Sequence, residues 1–141
     1  MDIDGVREFF SGDRYLMLTG VVIEEAGDGR AVCAVDIVPD RHFNKGGVVQ
    51  GGVTYTLADS AFAVAANYGH LERGEIDRFI TVSQSGNITY FRPPKGERLI
   101  CTAEAISRGR ISSVYRMEVI DDQGTEVALM IGNGYTIDLG N

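Results

Sequence analysis

The segment at residues 53–68, VTYTLADSAFAVAANY, limits what this chain can fold into more than any other. Its side chains are apolar or small on nearly every side, and it carries a single charge, Asp59. At about 1.5 Å per residue it predicts a helix roughly 24 Å long. A helix that is apolar all round is a buried helix. Gly51 and Gly52 open the segment, and Gly69 is expected to close it as a C-terminal cap.

Buried helices need cover, and the rest of the chain supplies strands. Residues 3–12, IDGVREFFSG, predict a short helix capped by Asp4, striped by Ile3, Val6, Phe9 and Phe10, and ended by Gly12. TGVVIEEA, the turn GDGR and AVCAVDIV then predict a hairpin. In its second strand Ala31, Cys33, Val35 and Ile37 form one apolar face, and Pro39 stops it. After the expected loop HLERGEID come four β-rich runs, beginning RFITVSQ, GERLICT, ISSVYRM and TEVALMI. The links between them are short, so they predict an antiparallel meander; parallel crossovers need a dozen or more residues.

One long apolar helix and one large antiparallel sheet hide their apolar surfaces together only if the sheet curls around the helix. The expectation is an α+β chain, a single domain over residues 1–141, with about five to six strands wrapped around a central helix. A length of 141 residues supports a core without metal or disulfide staples. One sheet cannot cover every side of that helix, so a second copy across a two-fold axis is expected, a homodimer at least.

The net charge of −7 argues against nucleic acid or an anionic membrane as partner, but not against a small anionic ligand held by a few arginines. Cys33 and Cys101 are far apart in the chain and lie in apolar runs, which predicts buried free thiols in a reducing compartment. MDIDGVREFF lacks a basic-then-apolar signal pattern, and no apolar run reaches membrane-spanning length, so a cytoplasmic location is expected. His42 and His70 have no ligand-spaced partner, which argues against a metal site, and His70 is expected at the surface. GxSxG, P-loop and Cys–His patterns are missing.

Asp59 is the residue that such a helix has least reason to contain. Unpaired burial of a carboxylate is costly, so a functional role explains it better than packing does. Among Leu57, Ala58, Ala61 and Phe62 its basicity should rise, fitting it to act as general base on water or to attack directly. Gly52 stands seven residues before it, about 700° around the helix and so on nearly the same face. The two are nonetheless roughly 10 Å apart along the axis, too far to serve one reacting carbon. Antiparallel helices in a dimer would bring Asp59 of one copy to the Gly52 end of the other. There the Gly52 N–H, at a helix start that favours negative charge, could hold an oxyanion.

The spaced pattern Asn44, Gly47, Gln50, Gly51, Gly52, Leu57 and Asp59 resembles the signature of hotdog-fold acyl-CoA thioesterases, in their phenylacetate-type (PaaI-like) branch. VSQSGNITYFRPPKGERL, residues 82–99, resembles the first long strand after that family's central helix, and the likeness spans roughly residues 15–138. The resemblance implies a hotdog fold, a homodimer or homotetramer, and hydrolysis of a coenzyme A thioester without metal or redox cofactor. It places the thioester oxygen on the Gly52 N–H, Gly51 against the substrate, and Asp59 of the partner as base or nucleophile. Asn44 would orient the water or the carboxylate, and Ser83 would help to hold the water. Gln50 stands where many members carry His; it can donate a hydrogen bond but cannot shuttle a proton. The family's phosphate contacts correspond to Arg92, Pro93 and Lys95 at a strand end and to Arg108, Gly109 and Arg110 at a turn. Aromatic, medium-chain and hydroxylated acyl groups all remain open. The alternative function is a non-catalytic acyl-CoA binding or sensing module on the same fold, to which the Gln50 exchange gives room. A hydratase would need a shuttling histidine, and the nearest, His42, precedes the motif.

Overall fold

The computed structural model describes residues 1–140. Its order is α1 (Ile3–Phe10), α2 (Arg14–Thr19), β1 (Val21–Gly27), β2 (Arg30–Asp36), α3 (Pro39–His42), α4 (Gly51–Glu72), β3 (Phe79–Tyr90), β4 (Arg98–Arg108), β5 (Ser112–Asp121) and β6 (Glu126–Asp138). The strands make one six-stranded antiparallel sheet that curves around α4, the hotdog architecture expected from the sequence.

Helix α4 is longer than its apolar core suggested. It covers 22 residues, about 33 Å at the usual rise. Gly69 therefore lies inside it, and Arg73 is the C-cap. The reason is local: Asp28 Oδ1 lies 2.8 Å from where a Cβ on residue 69 would be, so glycine serves a close approach to the β1–β2 turn, not a stop. The first three residues of the expected loop HLERGEID, His70 to Glu72, belong to the last turn of this helix. Leu57, Ala58, Ala61, Val64 and Ala65 are fully buried against the sheet, beside Leu99, Met117 and Tyr115. Leu57→Ala would cost about 2–5 kcal/mol through the cavity it leaves.

The N-terminus departs from expectation in two ways. Asp2, not Asp4, caps α1, accepting from the Gly5 N–H at 2.9 Å, and α1 ends at Phe10, before Gly12. A second helix, α2, fills what read as the approach to the first strand. Asp13 caps it by accepting from Leu16 N at 3.0 Å, and Gly20 ends it at φ 89°, a left-handed conformation that suits glycine. Pro39 does stop the β2 run, and also starts α3 as its first residue.

The four-strand meander is corrected by the strand order β1-β2-β4-β5-β6-β3. Only β4, β5 and β6 follow one another; β3 lies on the far edge, paired with β6. The link at residues 91–97 must cross three strand spacings, about 14 Å, and seven residues reach that easily. Carboxylates pin it: Asp121 Oδ2 accepts from Lys95 N at 2.7 Å and Gly96 N at 2.9 Å, and Asp122 Oδ1 accepts from Glu97 N at 2.9 Å. Pro93 and Pro94, having no N–H, ask for no acceptor there. Register shifts at Ile23/Glu25, Ser83/Ser85 and Ala105/Ser107 add the bends that let the sheet close on the helix.

Cys33 and Cys101, distant in sequence, are direct partners across β2 and β4. Both are free thiols with no exposed surface, and burial pushes the Cys33 thiol up to about 12.

Candidate active site

Helix α4 presents a stripe that starts at the exposed Gly52 and runs on through the half-covered Thr56, Asp59, Ala63, Ala66 and His70, at alternating helical spacings of four and three. Three other polar side chains of the helix satisfy themselves one turn back. Thr56 Oγ1 donates to Gly52 O at 2.8 Å, Ser60 Oγ to Thr56 O at 2.7 Å, and Asn67 Nδ2 to Ala63 O at 2.9 Å. An ionised carboxylate has no proton to give a carbonyl. Among the described residues Asp59 accordingly makes no side-chain hydrogen bond or ion pair.

Asp59 lines a cleft of about 270 Å³ whose walls include Phe9, Phe10, Phe62, Ile76 and Ile80. Burial is the main reason its carboxyl is held above the ordinary value, and the nearby Asp13 carboxylate is the second. Ser83 also lines this cleft. Asn67 also lines it, bracketing α4 to β3: its Oδ1 accepts from Thr81 N at 2.8 Å and its Nδ2 donates to Thr81 O at 2.9 Å.

The remaining motif residues gather at the other end of the stripe. Gln50 is the N-cap of α4, with an exposed side chain that caps nothing, and Gly51 and Gly52 are the first two helical residues. N–H groups in a first helical turn have no partner inside the helix and point outward. Tyr90 closes over this end, its hydroxyl donating to Gly51 O at 2.9 Å, so a methyl on Gly51 would meet the Tyr90 ring at 3.2 Å. Gly52 is open: nothing nearer than 3.9 Å faces its missing Cβ. Asn44 uses Oδ1 to fold its own loop, accepting from Gly46 N at 2.8 Å, which leaves its amide NH₂ free. Gln50 N in turn donates to His42 O at 2.8 Å.

Within one chain, then, Asp59 and Ser83 are together, and Asn44, Gln50, Gly51 and Gly52 are together. No residue of the second group lines the Asp59 cleft. Of the anion-binding candidates, Arg92, Pro93 and Lys95 follow β3 just beyond Tyr90, on the Gly51 side. Arg92 Nη1 donates to Glu126 O at 2.6 Å. Arg108, Gly109 and Arg110 lie near the opposite end of α4, beside Gly69 and His70, and Arg108 pairs with Asp28 at 2.7 Å.

Sequence reading missed Asp13, Phe9 and Phe10 as cleft walls. The Phe9 and Phe10 stripe was read, but not its position over Asp59, and Asp13 was not read as a cap. His70 is corrected: its side chain is only 13% exposed and bonds Glu75 and Thr81. His42 is buried in the core, where Nδ1 accepts from Val38 N at 2.9 Å and Nε2 faces Thr19 O at 2.8 Å. No group of three or more metal-ligating side chains is clustered among the described residues. No helix among them is long and apolar enough to cross a membrane.

Comparison with known proteins shows the family. Residues 46–128 match the family described as Thioesterase superfamily. Mouse acyl-coenzyme A thioesterase 13 is 31% identical over 126 residues, 89% of this chain and 84% of the relative. Acyl-coenzyme A thioesterase PaaI of Escherichia coli is 28% identical over 129 residues, 91% of this chain and 86% of the relative. The solved structure of the E. coli PaaI protein superposes with a TM-score of 0.81 at 24% identity, covering 98% of this chain and 93% of that one, a likeness of fold. The chain belongs to the thioesterase superfamily, as a thioester hydrolase of the PaaI-like hotdog type.

Proposed function

We propose that this protein hydrolyses acyl-coenzyme A thioesters as a homodimer in which Asp59 of one protomer works against the α4 start of the other. The observation that carries the reading is the division just described. A partnerless, half-buried carboxylate and a glycine-rich helix start share one stripe, yet stand about 10 Å apart in a single chain. Antiparallel pairing of two α4 stripes joins them, and β3, an outer strand with a mostly exposed edge, offers a matching seam.

In this arrangement the Gly52 N–H, helped by Gly51, polarises the thioester carbonyl and holds the oxyanion. Asp59 takes a proton from water as the water oxygen bonds to the carbonyl carbon, with Asn44 and Ser83 positioning that water. Collapse of the tetrahedral adduct breaks the C–S bond. The thiolate leaves as coenzyme A after taking up a proton, and the carboxylic acid remains. If Asp59 attacks directly instead, an acyl anhydride forms and water then cleaves it. Gln50 donates a hydrogen bond to the thioester or its leaving sulfur. No step calls for a metal or redox cofactor.

The Phe- and Ile-lined cleft at Asp59 suits a small aromatic or medium-chain acyl group. Arg92 and Lys95 stand where the phosphates of coenzyme A would leave the helix start. Arg108 and Arg110 could reach the same ligand only from the partner protomer, since α4 separates the two ends by about 30 Å.

The deciding experiment follows thiol release from a panel of acyl-CoAs by the parent, Asp59→Asn and Asp59→Ala proteins, with molar mass from light scattering. Turnover by both variants at the parent rate would refute the reading, and so would an active monomer. Tight acyl-CoA binding without Asp59-dependent turnover would identify the binding-module alternative. Turnover in ¹⁸O water, followed by mass analysis of the residue 59 peptide, separates base from nucleophile.

A further inference from the structure

The peptide unit that joins Gly51 to Gly52 carries the N–H assigned above to the oxyanion. It is also the one peptide of α4 with glycine on both sides, which leaves its plane the widest choice of backbone angles. First-turn N–H groups have no acceptor inside their own helix. Val53 N nonetheless finds Gln50 O at 2.9 Å, whereas Gly52 N has no hydrogen-bond partner among the described residues. A donor stabilises developing charge only if it is already aimed at it, so something must hold this plane.

We propose that Tyr90 is a positioning residue for the hydrolysis: its hydroxyl, bonded to Gly51 O, fixes the Gly51–Gly52 peptide plane and strengthens the Gly52 N–H as an oxyanion donor. This role rests on the hydrolytic reading, and adds to it a residue that touches neither the water nor the thioester.

Tyr90 Oη donates to Gly51 O at 2.9 Å. In a trans peptide the C=O and N–H lie in one plane and point opposite ways, so an anchor on the oxygen aims the N–H. The hydroxyl takes one lone pair of Gly51 O and leaves the other to the helix ladder. A hydrogen bond at the oxygen also polarises the amide, which makes its N–H a better donor. The ring adds a steric stop, since a methyl on Gly51 would meet it at 3.2 Å. Gly51 is therefore small because the phenol packs on its backbone, and Gly52 is small where the face is open.

The tether has a rigid mount. Tyr90 is the last residue of β3 and pairs with Ala128 of β6, and Phe91 N continues the ladder to Val127 O at 2.8 Å. Partial burial, and second Tyr55, push the Tyr90 hydroxyl up from its ordinary value, so it stays a protonated donor at neutral pH.

The whole protein tests this with two variants and two readouts. Tyr90→Phe keeps the ring and drops the hydrogen bond; kcat should fall about three- to tenfold, as for one neutral contact, while KM stays within about twofold. Tyr90 is 48% exposed, so this variant should melt with the parent. Replacing Tyr90 by 3-fluorotyrosine, a stronger donor, should raise kcat above the parent's when assayed below the pH at which that phenol ionises. In the free protein the ¹⁵N resonance of Gly52 should move upfield in Tyr90→Phe, and that of Gly69, near the other end of α4, should not. The proposal fails if Gly52 keeps its resonance, which would mean the plane is held without the tether. It fails if KM rises while kcat does not, which would make Tyr90 a ground-state substrate contact. It also fails if the 3-fluorotyrosine protein turns over no faster than the parent, which would leave packing alone. Failure of the hydrolytic reading looks different: turnover is then absent or indifferent to Asp59→Asn, while the Gly52 resonance still moves in Tyr90→Phe.

Discussion

Asp59 and Asp121 are both carboxylates set among apolar neighbours, and the chain treats them in opposite ways. Asp121 is 1% exposed and accepts from four backbone amides: Lys95 and Gly96 at Oδ2, Gln123 and Thr125 at Oδ1. Burial alone would raise its carboxyl, but those amides outweigh it and hold the group well below the usual carboxylate range. Asp59 has burial and a like charge but no donor, so its carboxyl is held above that range. One anion ties the β3–β4 link to the β5–β6 turn. The other is left with its basicity unspent, which is what proton transfer near neutral pH requires.

The contrast breaks most sharply on activity. Asp59→Asn should lower kcat about 100-fold or more, the usual worth of a positioned base, while leaving the melting temperature equal or higher. A coincident loss of stability would make Asp59 a structural residue like Asp121. The reciprocal change, Asp121→Ala, should cost about 3 kcal/mol in denaturant unfolding, because four amides lose a charged acceptor. If that protein unfolds at the parent's midpoint, the amide cage is not holding the link.

Acid separates the pair by sign. Asp121 is depressed on folding, so its stabilisation is present above the ordinary carboxylate range and is lost as pH falls through its folded value. Asp59 is raised, so its own contribution favours the fold in acid and disappears as pH rises through its folded value. Stability measured against pH should therefore fall toward acid in the parent, and fall less in Asp121→Asn. The smallest expected effect is on the acid limb of kcat/KM. Asp13→Asn removes the like charge near Asp59 but keeps a capping side chain, so the limb should move to lower pH with little change in stability. An unmoved limb would leave burial as the sole cause.

These two residues also mark what could be read from sequence. Asp59 was legible because its own helix announced burial, and Gly52 because helical spacing put it on the same stripe. Asp121 was not, since the turn DQG explains an acid there without remainder. Its partners Lys95 and Gly96 arrive from 25 or more residues away through a link whose path is set by tertiary structure. The displacement of β3 beside β6 was hidden for the same reason: local pattern fixes that a strand exists, not which edge it joins. Helix α2 was missed because Tyr15, Met17 and Leu18 look like a strand's lead-in yet are exposed on a short, six-residue helix. Its cap signals, Asp13 and Gly20, were present and could have revealed it. With α2 unseen, the Phe9, Phe10 and Asp13 wall over Asp59 could not be placed.

The facing thiols on β2 and β4 bear on the bench. A colorimetric reagent that counts free sulfhydryls is the natural reporter for released coenzyme A, and a protein with two cysteines would ordinarily add its own background. Here both sulfurs are sealed from solvent and held as protonated thiols. The folded enzyme should be silent in such an assay, and the sudden appearance of two extra equivalents would report that β2 and β4 have come apart.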